Sequence, residues 1–173
     1  MAAPVMSTFY AGQRLRAADM NSQVRDGVDW AIEGKCCKAK RTTNQTIANT
    51  TLTAMVFDDD QFDSLGWHAA NSSLITPTYP GYYRIDACVD WVFNGNGIRD
   101  IYIFGASTVI GFAAFMPDMS GGGTHTPCNV STLVKLDGST SVSCWVWQNS
   151  GGALATDVSI IQSSLSVQWV GTY

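Results

Sequence analysis

The stretch Pro80-Gly81-Tyr82-Tyr83-Arg84-Ile85-Asp86-Ala87-Cys88-Val89-Asp90-Trp91-Val92-Phe93-Asn94-Gly95-Asn96-Gly97 decides the fold. Tyr83, Ile85, Ala87, Val89, Trp91 and Phe93 alternate with Tyr82, Arg84, Asp86, Cys88 and Asp90. That period of two lets a strand bury one face while the other stays wet or meets another subunit. Asn94-Gly95-Asn96-Gly97 ends the run, because Asn and Gly tolerate the positive φ angles of a tight hairpin. Arg99-Asp100-Ile101-Tyr102-Ile103-Phe104 then returns as the next strand.

The same period spreads outward. Upstream, Ala39 to Met55 is rich in threonine, with Ile47, Leu52 and Met55 interspersed, as in an exposed β-pair. Downstream, Val109 to Met116 reads as a strand apolar on both faces. Asn129 to Leu136 and Ser141 to Gln148 flank an Asp137-Gly138 turn, and in the second of them Val142, Cys144, Val146 and Gln148 alternate with Ser143, Trp145 and Trp147. Ser164 to Tyr173 is a closing strand with Leu165, Val167 and Trp169 on one face. Short strands at near-regular spacing predict an all-β fold, an antiparallel jelly-roll sandwich of about ten strands. Its expected core includes Tyr83, Ile85, Val89, Trp91, Val146, Val167 and Trp169.

Only residues 17–32 have a helical pattern. Met20, Val24, Val28, Ala31 and Ile32 recur at spacings of four and three, Gly34 offers a stop, and Lys35 and Lys38 suit a helix C-terminal end. An amphipathic helix of ~16 residues is marginal alone, so its stripe needs a partner. The expected organisation is an N-terminal tether over residues 1–37 and a head domain over 38–173.

Composition separates these two parts further. Seven of the ten basic residues and four of the fourteen acids lie in residues 1–41, giving +3 there and leaving −7 for residues 42–173. A basic foot under an acidic head suggests docking at one end and exposure at the other. Charged residues make up only 14% of the chain, against about 25% in ordinary domains. So little charge points to surface buried against copies of the same chain. An acidic head repels phosphates, which argues against nucleic acid. No apolar run approaches a membrane-spanning length, and Met1–Tyr10 lacks the features of a secretory signal. Five cysteines at positions 36, 37, 88, 128 and 144 have no zinc spacing and read as buried thiols.

Several pieces, taken in order, resemble the globular head of complement component 1q and its tumour-necrosis-factor-like relatives. They are Phe62-Asp63-x-x-Gly66, Pro80-Gly81-x-Tyr83-x-Ile85, Gly97-x-Arg99, Val134-x-Leu136-x-Gly138, the strand Val142 to Gln148 with Asn149-Ser150-Gly151, and the last strand near Leu165 to Val170. The resemblance covers about residues 40–173 and implies a ten-strand jelly roll assembled as a homotrimer, with both termini near its base. A second resemblance lies in Phe9-x-Ala11-Gly12-Gln13-x-Leu15-x-Ala17-Ala18-Asp19-Met20-Asn21, then Val24-Arg25-Asp26. It is similar to the start of many minor tail and fibre proteins of tailed bacteriophages that infect actinobacteria. It implies that Phe9, Tyr10, Leu15, Met20, Val24, Arg25 and Val28 dock the head onto other virion proteins. Three tethers from one trimer multiply a weak docking affinity.

The residues offer little catalytic chemistry. The two histidines, His68 and His125, stand in no nucleophile motif, and no phosphate loop or metal-binding His pair occurs. The one dense acidic cluster is Asp58, Asp59, Asp60 and Asp63, followed by Trp67 and His68. Carboxylates at such spacing suit a solvated loop, a calcium site or, in a glycosidase, an acid–base pair. Trp67 is the exposed aromatic that could stack on a sugar, whereas Trp91, Trp145, Trp147 and Trp169 read as core or trimer-interface residues. The expectation is therefore a non-enzymatic virion protein that needs no cofactor. It sits at the tail or tail tip and touches the host surface, with a host glycan as a candidate partner. A capsid decoration protein and a tail-associated polysaccharide hydrolase are the alternatives.

Overall fold

The structure, a computed structural model, describes residues 10–12, 14, 16–25, 27–28, 33–117 and 125–172. The chain divides into two compact units, Met1–Lys35 and Cys36–Tyr173.

The second unit holds twelve strands among its described residues: β1 Cys36–Lys40, β2 Thr46–Ile47, β3 Thr53–Ala54, β4 Asp59–Asp63, β5 Leu74–Ile75, β6 Gly81–Val89, β7 Arg99–Gly105, β8 Thr108–Phe115, β9 Cys128–Leu136, β10 Val142–Gln148, β11 Leu154–Ala155 and β12 Ser164–Gly171. One sheet runs β4-β1-β12-β6-β9 and the second β3-β10-β7-β8, with β5 also on β10 and β11 on β2. Every pairing is antiparallel. This is the expected all-β sandwich, and its inner faces interdigitate as the period of two requires.

β6 is buried at each odd position and open or half-open at each even one, as the alternation in its sequence dictates. Tyr83, Ile85, Val89, Trp91, Val146 and Val167 are fully buried, and Trp169 is half-buried against the same core. Asp90 departs from the expected pattern. The strand ends at Val89, so Asp90 turns inward and is completely buried instead of wet.

Two glycines are required by close approach. At Gly81 a Cβ would overlap the Trp169 indole and the Gly171 carbonyl, so the Pro80-Gly81 entry to β6 fits only without a side chain. At Gly97 φ is +74° and a Cβ would overlap Asn149, which receives the returning turn.

Register gives the sandwich two distinct ends. Cys36 faces Gln168 and Lys40 faces Ser164 across β1 and β12, while Gly171 faces Tyr82 and Ser164 faces Cys88 across β12 and β6. The start of β1 and the end of β12 thus share one end, the base. The far end gathers the close of β6, the start of β9, the start of β7 and the close of β10.

In the first unit an α-helix, α1, spans Ala17–Met20 and passes directly into a π-helical turn over Asn21–Arg25. The described residues 17–25 and 27–28 are all helical, with α-helix resuming at Gly27 and Val28, so the helix expected over 17–32 is present as far as it is described and carries a π-helical turn within it. Arg16, the N-cap, offers no side-chain cap. Residues 29–32, which would complete the helix, lie outside the described residues.

Candidate functional site

The acidic segment is not a loop. Asp59–Asp63 forms β4, the edge strand beside β1, and its carboxylates are spent on neighbouring chain. Asp58 accepts the Thr42 N–H at 2.7 Å and the Thr43 hydroxyl at 3.1 Å. These bonds hold its carboxyl below the usual range against the opposing effect of burial, which is the largest single influence on it. Asp59 meets Lys40 Nζ at 3.1 Å, and Asp60 meets His68 Nδ1 at 2.6 Å. Asp63 accepts the backbone N–H groups of Leu65 at 3.3 Å and His68 at 2.9 Å, closing the turn after β4.

His68 is buried, and its Nε2 lies 3.2 Å from the Ser72 carbonyl. Each ring nitrogen thus faces one oxygen acceptor. Trp67, expected to be exposed, is buried: its ring packs edge-on to Tyr83 at 5.9 Å and its indole N–H donates to the Thr78 hydroxyl at 3.1 Å. The segment is therefore a brace between the edge strand and the base of the core. Among the described residues no group of three His, Cys, Asp or Glu side chains is placed to hold a metal ion.

An open surface remains on the β4-β1-β12-β6-β9 sheet. Its outward positions on β6 are Tyr82, Arg84, Asp86 and Cys88, and on β9 they are Asn129, Ser131, Leu133 and Lys135. Phe62, Tyr82, Leu133 and Val170 are exposed there, Leu133 to 67%. Between them Asp86 accepts Arg84 Nε at 3.1 Å and the Ser131 hydroxyl, and Lys40 pairs with Asp59 at 3.1 Å. Toward the far end the small residues Ser131, Ser164 and Ser166, with Lys38, Cys88 and Asn129, leave a shallow depression of about 230 Å³. A face with exposed apolar side chains, few charges and a hollow suits contact with a folded protein surface.

The far end holds a group that the sequence did not single out. His125 Nδ1 lies 3.1 Å from Asp90 Oδ2 and 3.4 Å from Asp157 Oδ2. Burial raises the Asp90 carboxyl, opposed by the nearby His125. Asp157 is held low, first by the Ser159 backbone N–H. The three residues come from the close of β6, the approach to β9 and the approach to β12. No local motif could have announced them.

Of the tether residues expected to dock, Tyr10, Val24, Arg25 and Val28 are exposed. Phe9, Leu15 and the side chain of Met20 lie outside the described residues. Trp145 and Trp147, expected in the core or at a trimer contact, are half-buried on the outward face of the β3-β10-β7-β8 sheet.

No family model matches the sequence, and no curated protein is similar to it at the level of sequence. Solved structures are similar in fold. Murine APRIL superposes with a TM-score of 0.60 at 7% identity, covering 80% of this chain and 100% of that one. The Eiger tumour necrosis factor of S. frugiperda gives 0.59 at 8% identity, over 81% of this chain and 94% of its own. The globular domain of the zebrafish complement 1qA protein gives 0.51 at 11% identity, over 80% and 99%. The chain therefore has the jelly-roll fold of the tumour-necrosis-factor and complement-1q heads, as its strand motifs implied.

Proposed function

We propose that this chain is a non-enzymatic binding head that works as a homotrimer, carried on a bacteriophage virion as a minor tail or tail-tip protein that contacts the host surface. The observation that carries the assembly is the outward face of the β4-β1-β12-β6-β9 sheet. It exposes Phe62, Tyr82, Leu133 and Val170, a surface that costs solvation in a monomer. The virion reading is supported by the likeness of Phe9–Asp26 to phage tail segments and by the basic balance of residues 1–41. The non-enzymatic reading is supported by the engagement of both histidines, His68 with Asp60 and His125 between Asp90 and Asp157.

Light scattering on the purified chain tests the assembly: the expected mass is three times the 18.6 kDa subunit, and a monomer at micromolar concentration sinks it. Antibody labelling of intact virions tests the location. Label confined to the tail supports the proposal. Label spread over the capsid replaces it with a decoration protein, and absence of label from the particle overturns it.

A further inference from the structure

The second sheet also has an outward face, and its composition differs from the first. Register places Trp145 of β10 opposite Tyr102 of β7, and Tyr102 opposite Phe112 of β8. The flanking row on one side is Trp147, Asp100 and Ala114, and on the other Ser143, Phe104 and Val109. Ring centroids of Tyr102 and Phe112 lie 4.9 Å apart, those of Phe104 and Trp145 5.6 Å, and those of Tyr102 and Phe104 6.2 Å. Phe112 is 53% exposed, and Tyr102, Phe104, Trp145 and Trp147 are half-buried. These rings belong to no core: the inward positions of the same strands, Ile101, Ile103, Cys144 and Val146, fill that.

The polar groups on this face are few and specific. Asp100 accepts the Tyr102 hydroxyl at 3.1 Å and keeps its second carboxylate oxygen for another donor. The Trp147 indole N–H has no hydrogen-bond partner among the described residues. Trp145 differs, because its indole N–H is taken up by the Ser143 hydroxyl at 2.9 Å, which fixes the ring in the row. The three facing strands present no Lys or Arg outward here.

We propose that this face binds neutral glycan chains, with Trp145, Tyr102 and Phe112 stacking on sugar rings laid across the strands while Asp100 and the Trp147 indole hold sugar hydroxyls. Successive rings of the row are set by strand spacing, about 4.8 Å, so a linear chain crossing the sheet meets one ring after another. An aromatic face is electron-rich and attracts the polarised C–H groups on the apolar side of a pyranose ring. A carboxylate and an indole N–H supply the acceptor and donor that a hydroxyl requires. Charge argues against the other ligands that use aromatic platforms. Single-stranded nucleic acid needs cations beside the stacking rings, and an anionic membrane surface needs a basic rim. Here the one charge is a carboxylate.

The inference deepens the host-contact part of the proposed function and does not depend on the trimer. Titration calorimetry of the full chain with cellohexaose, chitohexaose and mannohexaose tests it, with the mass of each sample measured alongside. At least one oligosaccharide is expected to bind at micromolar to millimolar concentration, with an affinity indifferent to salt. Phe112→Ala and Trp145→Ala are each expected to weaken it about tenfold, with unchanged melting for the exposed Phe112. Leu133→Ala on the opposite sheet should leave it intact. Binding by a monomer keeps this inference and sinks the trimer. Failure of all three sugars at millimolar concentration overturns it, as does binding that survives the Phe112→Ala/Trp145→Ala pair. A wild-type mass above the trimer that falls with Phe112→Asp also overturns it, and makes the face a contact between copies.

Discussion

The two ends of the sandwich treat their polar groups in opposite ways. At the base, the Trp67 indole donates to Thr78, the Tyr83 hydroxyl to the Tyr79 carbonyl at 2.6 Å, and His68 spans Asp60 and the Ser72 carbonyl. At the far end sit Arg41 Nε, Arg99 Nε and Ser163 Oγ, buried atoms without a hydrogen-bond partner among the described residues. Leaving such a group unmade costs about 1–3 kcal/mol. The base thus pairs its buried polar groups, whereas the far end leaves three buried atoms unpaired. Binding heads place variable loops on a rigid scaffold in this manner.

The comparison breaks most readily at the base. Trp67→Ala should cost about 3–5 kcal/mol in urea unfolding, because it empties a buried aromatic site against Tyr83. A loss below about 1 kcal/mol would mean that the base is no more tightly built than the far end.

At the far end the largest effect is expected from Arg99. Its guanidinium is completely buried over Trp91, 5.9 Å from the ring centroid, and donates to the carbonyls of Asn94 at 3.0 Å, Asn96 at 2.9 Å and Ile98 at 3.2 Å. It pins the Asn94–Ile98 turn from beneath. Arg99→Met keeps the volume but strands these carbonyls, so a loss of about 2–3 kcal/mol is expected. Lost chemical-shift dispersion in the turn should accompany it. A stabilised variant would show that desolvating the charge outweighs its three bonds.

A smaller effect of opposite sign is expected at Asp90. Burial raises its carboxyl above the usual range in the folded chain. A folded pKa above the unfolded one means that the ionised form is disfavoured by folding. The penalty is fully present above the folded value and disappears as pH falls below the unfolded value near 3.9. Asp90→Asn keeps an acceptor for the Trp91 N–H, seen at 3.0 Å. It should raise Tm by a few degrees at pH 8 and by less at pH 4. An equal shift at both, or a loss at pH 8, would show that the attraction of His125 outweighs desolvation.

How much of this was legible beforehand follows from the range of the forces involved. The sandwich and its core were readable because strand period is local: alternation from Tyr83 to Trp91 names the buried side chains without any partner. The acidic segment was misread because the donors that occupy it are distant. Thr42 and Thr43 lie 16 and 15 residues before Asp58, and nothing in Asp58-Asp59-Asp60 shows that they arrive. His125, Asp90 and Asp157 likewise meet only through the sheet topology. The hairpin strand Val142–Gln148 is apolar on both faces, so its sequence did not show that Trp145 and Trp147 are the outward set. In the tether, a spacing of four and three from Met20 to Val28 predicted the helix that the described residues take, and what it did not show is the π-helical turn at Asn21–Arg25.

Thiol labelling gives the gentlest test, since it reads burial without disturbing the fold. Cys37 and Cys128 are buried with their thiols raised to about 12, chiefly by desolvation, and Cys144 is raised by the same cause. The thiolate is the reactive form, so these three should label only as fast as the chain unfolds. Cys36 and Cys88 are half-exposed on the outward face of the β4-β1-β12-β6-β9 sheet. Both should label within the folded monomer. In the trimer, Cys88 lines the depression on the proposed contact face and should be protected. Dilution below the assembly concentration should release it while Cys37, Cys128 and Cys144 stay silent. Equal labelling of Cys88 at high and low concentration would place the contact elsewhere on the head. Early reaction of Cys128 would show that the far end opens on its own, ahead of the base.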